Sequence, residues 1–148
     1  MAYLLRISRG CEYAIKALKV IGTLEPSQTL RAEEVAQRTG CPAKFTANLL
    51  TQLTKSGLLE GSRTSGRGYR VARSADSISL LNIIETIDGD FEKPWCFMDS
   101  GRKCDATSPC ELHATWTGIR HSVRETLAAK RLSHLIAPQI PSKRGTRK

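Results

Sequence analysis

The sequence predicts a mainly α fold with one small β-hairpin (α+β): a winged helix-turn-helix followed by a long C-terminal helix suited to dimerisation. Three observations predict it. Up to about residue 55, apolar residues recur at steps of three and four, interrupted at Glu25-Pro26-Ser27 and again at Gly40-Cys41-Pro42. Beyond Gly57 the pattern becomes strand-like around a tip rich in arginine and glycine. Late in the chain Leu112, Trp116, Ile119, Val123 and Leu127 form a narrow apolar seam, the spacing of a helix that packs on a partner helix.

Taken in order, Ala14, Ala17, Leu18, Ile21 and Leu24 share one face of a helix running from Ser8 to about Leu24, which Glu25-Pro26-Ser27 ends. A second, short helix carries Ala32, Val35 and Ala36, with Thr29 the nearest capping residue and Gly40 a left-handed stop. Cys41-Pro42 opens a third, because proline is tolerated in a first turn and pushes the residue before it out of helical conformation. Phe45, Leu49, Leu50 and Leu53 are expected to face inward, and Lys44, Ala47, Asn48, Thr51 and Lys55 outward. A short helix, a tight glycine-containing turn and a helix with a small, polar and basic outer face make a helix-turn-helix, whose second helix lies in the major groove of duplex DNA.

Leu58-Leu59, a tip at Arg63-Thr64-Ser65-Gly66-Arg67-Gly68, and Tyr69-Arg70-Val71 then read as a hairpin. Gly66 and Gly68 are expected to supply positive φ, and Arg63, Arg67, Arg70 and Arg73 make it cationic, as a wing touching the DNA backbone or minor groove would be. Ser79 caps a fourth helix with Leu80, Leu81, Ile83, Ile84 and Ile87 inward, stopped at Asp88-Gly89. The expected division is residues 1–75 as the DNA-binding domain, and residues 76–138 as a connecting helix, a cysteine loop over 93–113 and the dimerisation helix. Residues 139–148 are expected to be a basic disordered tail.

Charge supports the same division. The formal net charge is +9, of which residues 1–75 carry +7, residues 76–138 carry −2 and the tail +4. Clustered cations neutralise phosphates and release counterions, so double-stranded nucleic acid is the expected partner. Only 5% of residues are aromatic, which leaves few platforms for stacking unpaired bases and disfavours single-strand binding. For groove readout the candidates are Lys44, Asn48 and Thr51, and for the wing Arg63, Arg67 and Tyr69. No stretch approaches the roughly 18 apolar residues of a membrane span. No charged leader with an apolar run of signal length precedes the cysteines, so a cytoplasmic location is expected.

Cys96, Cys104, Cys110 and His113 are spaced C-x7-C-x5-C-x2-H in a stretch broken by Pro94, Gly101 and Pro109. Thiolate sulfur and imidazole nitrogen are the donors that soft metals and iron–sulfur clusters take, and an irregular loop can wrap such a group where a straight helix cannot. In a reducing compartment, clustered thiols are metal ligands or redox switches more often than structural disulfides. Cys11 and Cys41 read instead as small buried hydrophobes, and His121 and His134 as surface or interface residues.

Gly10-Cys11-Glu12-Tyr13-Ala14, Pro42 and Phe45, Leu53 to Leu59 with Gly57, Arg63…Gly66-Arg67-Gly68-Tyr69, Ile83 to Gly89 and the three cysteines come in an order that resembles one family. It is that of the winged-helix iron–sulfur regulators, which includes the iron–sulfur cluster regulator, the nitric-oxide-sensitive repressor and the rhizobial iron regulator. The resemblance covers nearly the whole chain. It implies a homodimer on a palindromic operator, with the long C-terminal helix as interface and an iron–sulfur cluster near it that controls operator affinity. Cys96, Cys104 and Cys110 fall on the family's three cluster thiolates. For the fourth ligand two patterns mix: His113 followed by Trp116 matches the histidine of the iron–sulfur regulator, and Glu12 matches the acidic residue that in other members reaches from the partner subunit. A Cys₃His set favours a two-iron (2Fe–2S) cluster, whereas three cysteines with a carboxylate are compatible with a four-iron (4Fe–4S) one.

Two other readings compete: a zinc-stabilised DNA-binding module, and a thiol switch in which Cys96 and Cys104 form a disulfide. Zinc sites usually pair ligands at two to four intervening residues, which only Cys110 and His113 do. An enzyme is not expected, since no glycine-rich phosphate loop, carboxylate pair or Ser/His/Asp set is present.

Overall fold

The structure is a computed structural model that describes residues 6–62, 68–91, 95–99 and 101–136. Arg63, Gly66, Arg67 and the tail from residue 139 lie outside the described residues.

Among the described residues, six α-helices and one hairpin follow in the order α1 (Arg9–Gly22), α2 (Ala32–Thr39), α3 (Ala43–Lys55), β1 (Leu59–Gly61), β2 (Tyr69–Val71), α4 (Leu80–Asp88), α5 (His113–Ala129) and α6 (Leu132–Ile136). α1 is the central element, packed against α2, α3, α4, α6 and β2. Cys11, Ala14, Ala17, Leu18 and Ile21 are its buried face, and they meet Val35, Leu50, Leu53, Ile83 and Leu132 in one apolar core. Burying a leucine or isoleucine side chain of this kind contributes about 1.5–3 kcal/mol relative to leaving it in water.

The caps explain the boundaries. Ser8 accepts a hydrogen bond from the Cys11 amide at 3.0 Å and so caps α1. Its hydroxyl in turn donates to the Asp88 carboxylate at the end of α4, and its own amide donates to Asp88 Oδ2 at 3.1 Å. The expected capping of α2 by Thr29 does not occur. The first helical turn starts after Arg31, whose amide donates to the Glu34 carboxylate at 2.8 Å; a side chain three residues on supplies the acceptor that Arg31 lacks. Gly40 closes α2 with φ 69°, and α3 begins directly after Pro42, as expected.

On α3 the inward face differs at one position. Leu49, Leu50 and Leu53 are buried, but Phe45 is 39% exposed, its ring edge-on to Tyr13 with centroids 5.6 Å apart. Thr46 takes the inward place, its hydroxyl donating to the Pro42 carbonyl at 3.0 Å, so the buried polar group is satisfied by the helix itself.

The hairpin pairs Leu59 with Val71, Glu60 with Arg70 and Gly61 with Tyr69. Leu30, ahead of α2, adds a bridge on the other side: Tyr69 donates to the Leu30 carbonyl at 2.7 Å, and Leu30 to the Tyr69 carbonyl at 3.1 Å. Gly68 is required here for close approach and not, as expected, for positive φ. A Cβ at this position would lie 2.2 Å from Thr29 Oγ1.

Ser79 caps α4 as expected, and the structure adds a reciprocal bond from the Ser79 amide to the Asn82 side chain. The seam of residues 112–127 lies along α5, which ends at Ala129, and a short α6 follows whose Leu132 is fully buried beside α1. Hydrogen bonds from Leu80 N to Lys130 O and from Leu132 N to Ile78 O, both 2.8 Å, pin this junction to the start of α4. No residue of α5 is buried.

Candidate nucleic-acid interface and thiol loop

Lys44, Asn48, Thr51 and Lys55 are all exposed on the outer face of α3, at positions that succeed one another along one side of the helix. The Thr51 hydroxyl donates to the Ala47 carbonyl at 3.0 Å, so toward a groove it presents a methyl group and an acceptor oxygen. Between α3 and the hairpin lies a cleft of about 410 Å³ lined by Thr51, Thr54, Lys55, Ser62 and Tyr69 among others. The structure therefore brings Thr51 and Tyr69, read separately as groove and wing residues, to the walls of one cleft. Arg63 and Arg67, the other two wing residues, lie outside the described residues.

Arg70 does not present a free charge on the wing. It is ion-paired with Glu60 across the strands and also donates to the Pro26 carbonyl at 3.3 Å. Both partners are nearly half exposed, so the pair adds little to stability, at most about 1 kcal/mol, but it removes one cation from the wing's surface. Thr54 and Ser62 were not singled out from the sequence. Thr54's place three residues after Thr51 is the signal that would have found it, whereas Ser62 is visible only once the register is known.

The cysteine loop folds on itself. Trp95 bridges Lys103, the Cys96 amide donates to the Arg102 carbonyl at 3.0 Å, and the Arg102 guanidinium reaches over to the carbonyl and hydroxyl of Ser108. A second turn is closed by Asp105, whose carboxylate accepts from the Thr107 amide at 2.8 Å and from its hydroxyl. Those bonds hold the Asp105 carboxyl below its ordinary range. His113 then starts α5, its amide bonded to the Cys110 carbonyl at 3.0 Å.

The result is two pairs of donors. Cys96 Sγ and Cys110 Sγ are 3.7 Å apart, and Cys104 Sγ lies 3.1 Å from His113 Nδ1. Two sulfurs bound at about 2.3 Å to one tetrahedral metal stand about 3.8 Å apart, so the first pair already has the separation of ligands sharing a metal. Among the described residues, no three His, Cys, Asp or Glu side chains converge as a single metal ion would require. The Cys96 thiol is held below its ordinary pKa by the backbone amide of Met98, then that of Asp99, with Cys110 and the Arg102 charge adding to the effect and burial opposing it.

Glu12 is exposed at the start of α1, beside a cavity of about 300 Å³ also lined by Arg6, Ile7, Ser8 and Arg9. Cys11 is fully buried, and burial, with the nearby carboxylates of Asp88 and Glu12, pushes its thiol up to about 12. Cys41 is buried as well. His121 and His134 are exposed, the former 3.3 Å from Glu125, the latter accepting from the Arg131 amide at 3.2 Å. Around the loop, Trp95, Phe97, Met98 and Ile119 are exposed, and Phe97 packs on Trp116 with ring centroids 5.0 Å apart.

No helix among the described residues is long and apolar enough to cross a membrane. Residues 7–138 match the model of the Rrf2 family, described as an iron-dependent transcriptional regulator. The HTH-type transcriptional regulator IscR of Xenorhabdus nematophila is 23% identical over 135 residues, covering 91% of this chain and 81% of its own. Among solved structures, CymR (YrzC), the global cysteine regulator of B. subtilis, superposes with a TM-score of 0.76 at 20% identity, over 92% of this chain and 99% of that one. IscR of T. potens does so with a TM-score of 0.69 at 20% identity, over 92% and 89%. These likenesses establish the winged-helix fold, and all of these proteins are transcription regulators rather than enzymes. The chain thus belongs to the Rrf2 family of helix-turn-helix transcriptional regulators.

Proposed function

We propose that the chain is a homodimeric repressor of transcription that binds a palindromic operator and whose affinity is set by an iron–sulfur group held in the cysteine loop. The observation that carries this reading is the pairing of Cys96 with Cys110 and of Cys104 with His113. Two donors on each of two sides is what a two-iron (2Fe–2S) group takes, whereas a lone zinc ion needs all four to converge. The residue set fits such a group, and Cys96, Cys104, Cys110 and His113 would hold it. Glu12, at the far end of α1, is the ligand of a four-iron alternative supplied from a second copy. When bound, the group supplies one-electron redox chemistry and iron that oxygen or nitric oxide can attack.

The chain's own residues do the rest. Met98 and Asp99 amides favour the Cys96 thiolate, and Arg102 clamps the loop on Ser108 so that Cys96 and Cys110 stay together. Lys44, Asn48 and Thr51 read the major groove, and Tyr69, with Arg63 and Arg67, grips the backbone beside it. A second copy packs along α5, where the exposed Ile119 and the loop residues Trp95, Phe97 and Met98 would be covered. Residues 1–75 then act as the DNA-binding unit and residues 76–138 as the sensing and dimerisation unit. A shift of the loop relative to α5 reorients the two recognition helices by changing which arrangement is populated.

The test is the visible spectrum of protein purified without oxygen, followed by operator titration with and without the group. Absorption between about 320 and 450 nm, lost in Cys104→Ala together with a change in operator affinity, is the expected result. A colourless protein, or unchanged loading and affinity in Cys104→Ala, overturns the reading.

A further inference from the structure

We propose that Cys96 and Cys110 form a dithiol that a peroxide oxidises to an intramolecular disulfide in the iron-free chain. The sulfurs are 3.7 Å apart and a disulfide needs about 2.05 Å, so a closure of under about 2 Å is required between two residues already tied by the backbone bonds Cys96 N to Arg102 O and His113 N to Cys110 O. The disulfide expected from the sequence instead pairs Cys96 with Cys104. The turn that brings Trp95 beside Lys103 carries Cys104 toward His113, and leaves Cys110 as the sulfur facing Cys96. Cys11 and Cys41 are buried elsewhere and are not part of the pair.

The step balances with hydrogen peroxide as oxidant. One thiolate attacks the O–O bond and becomes a sulfenic acid, releasing hydroxide. The other sulfur then displaces the hydroxyl as the S–S bond forms, so two thiols and one peroxide give a disulfide and two waters. A disulfide sulfur is not a thiolate donor, so the oxidised chain takes up no iron until a thiol reductant reopens it. That last consequence rests on the function proposed above; the disulfide itself does not.

The full-length chain, stripped of metal and fully reduced, is treated with stoichiometric hydrogen peroxide, its remaining thiols are alkylated, and its peptides are mapped without reduction. A Cys96–Cys110 cross-link with Cys104 alkylated is expected, and the same cross-link in Cys104→Ala. A link from Cys104 to either partner, or overoxidised cysteines without any link, overturns the proposal. Iron uptake by the reduced chain is measured in parallel. A chain that cross-links but takes up no iron refutes the iron reading alone, and one that takes up iron but does not cross-link refutes this one alone.

Discussion

The bundle around α1 and the arm formed by the cysteine loop and α5 are held by different forces. Around α1, leucines, isoleucines and alanines from five helices and the hairpin exclude water from one another. In the arm, no residue of α5 is buried, large apolar side chains stand in solvent, and the loop keeps its shape through hydrogen bonds from Arg102, Asp105 and the backbone. Apolar burial is strong and indifferent to redox state, whereas a loop held by a few polar contacts can be remade by whatever binds its sulfurs. The difference places stability in one region and leaves the other free to respond.

The comparison breaks most visibly at Leu53. Leu53→Ala is expected to cost about 2–5 kcal/mol in urea denaturation, because the side chain is fully buried among neighbours that only partly collapse into the space. Gly68→Ala comes next, at about 1–3 kcal/mol, since the new methyl must push Thr29 aside and strain the Leu30–Tyr69 bridge. On the DNA face, Asn48→Ala should change discrimination at one base pair by about 1–3 kcal/mol. Arg67→Ala, on the wing, should weaken all sequences alike and lower the salt slope by about 1; equal effects on every sequence from both variants would show that α3 is not the reading helix.

Ile119→Ser is expected to change chemical stability by less than about 0.5 kcal/mol under dilute conditions while weakening self-association in sedimentation. A large loss of stability in the isolated chain would mean that α5 belongs to the same core as α1. The smallest effect at neutral pH comes from Cys11. Its thiol ionises near 9.0 in the unfolded chain but only at about 12 when buried, so the folded state binds the extra proton between those values. Stability contributed by Cys11 is therefore intact below pH 9 and lost as pH rises toward 12, which melts would show as a steeper alkaline loss of stability in the native chain than in Cys11→Ala.

The bundle was legible in the sequence because its signals are local. Steps of three and four gave the faces of α1 to α4, and Gly40, Pro42, Ser79 and Gly89 marked their ends. What escaped depended on contacts distant in sequence. The Arg31 cap uses a neighbour's carboxylate, Phe45 finds Tyr13 instead of the core, and α6 is five residues, too short to show a periodicity until Leu132 is seen against α1. Residue type marks Cys96, Cys104, Cys110 and His113 in the sequence but not which of them meet, since a turn decides that and spacing alone does not.

The bridge between Leu30 and Tyr69 makes the base of the hairpin part of the same frame as the start of α2. The direction in which the two strands set out is thereby anchored at their base, while Glu60 and Arg70 stand in solvent on that fixed frame. Exchanging such side chains, like bits in a chuck, alters what the hairpin presents without moving the helices behind it.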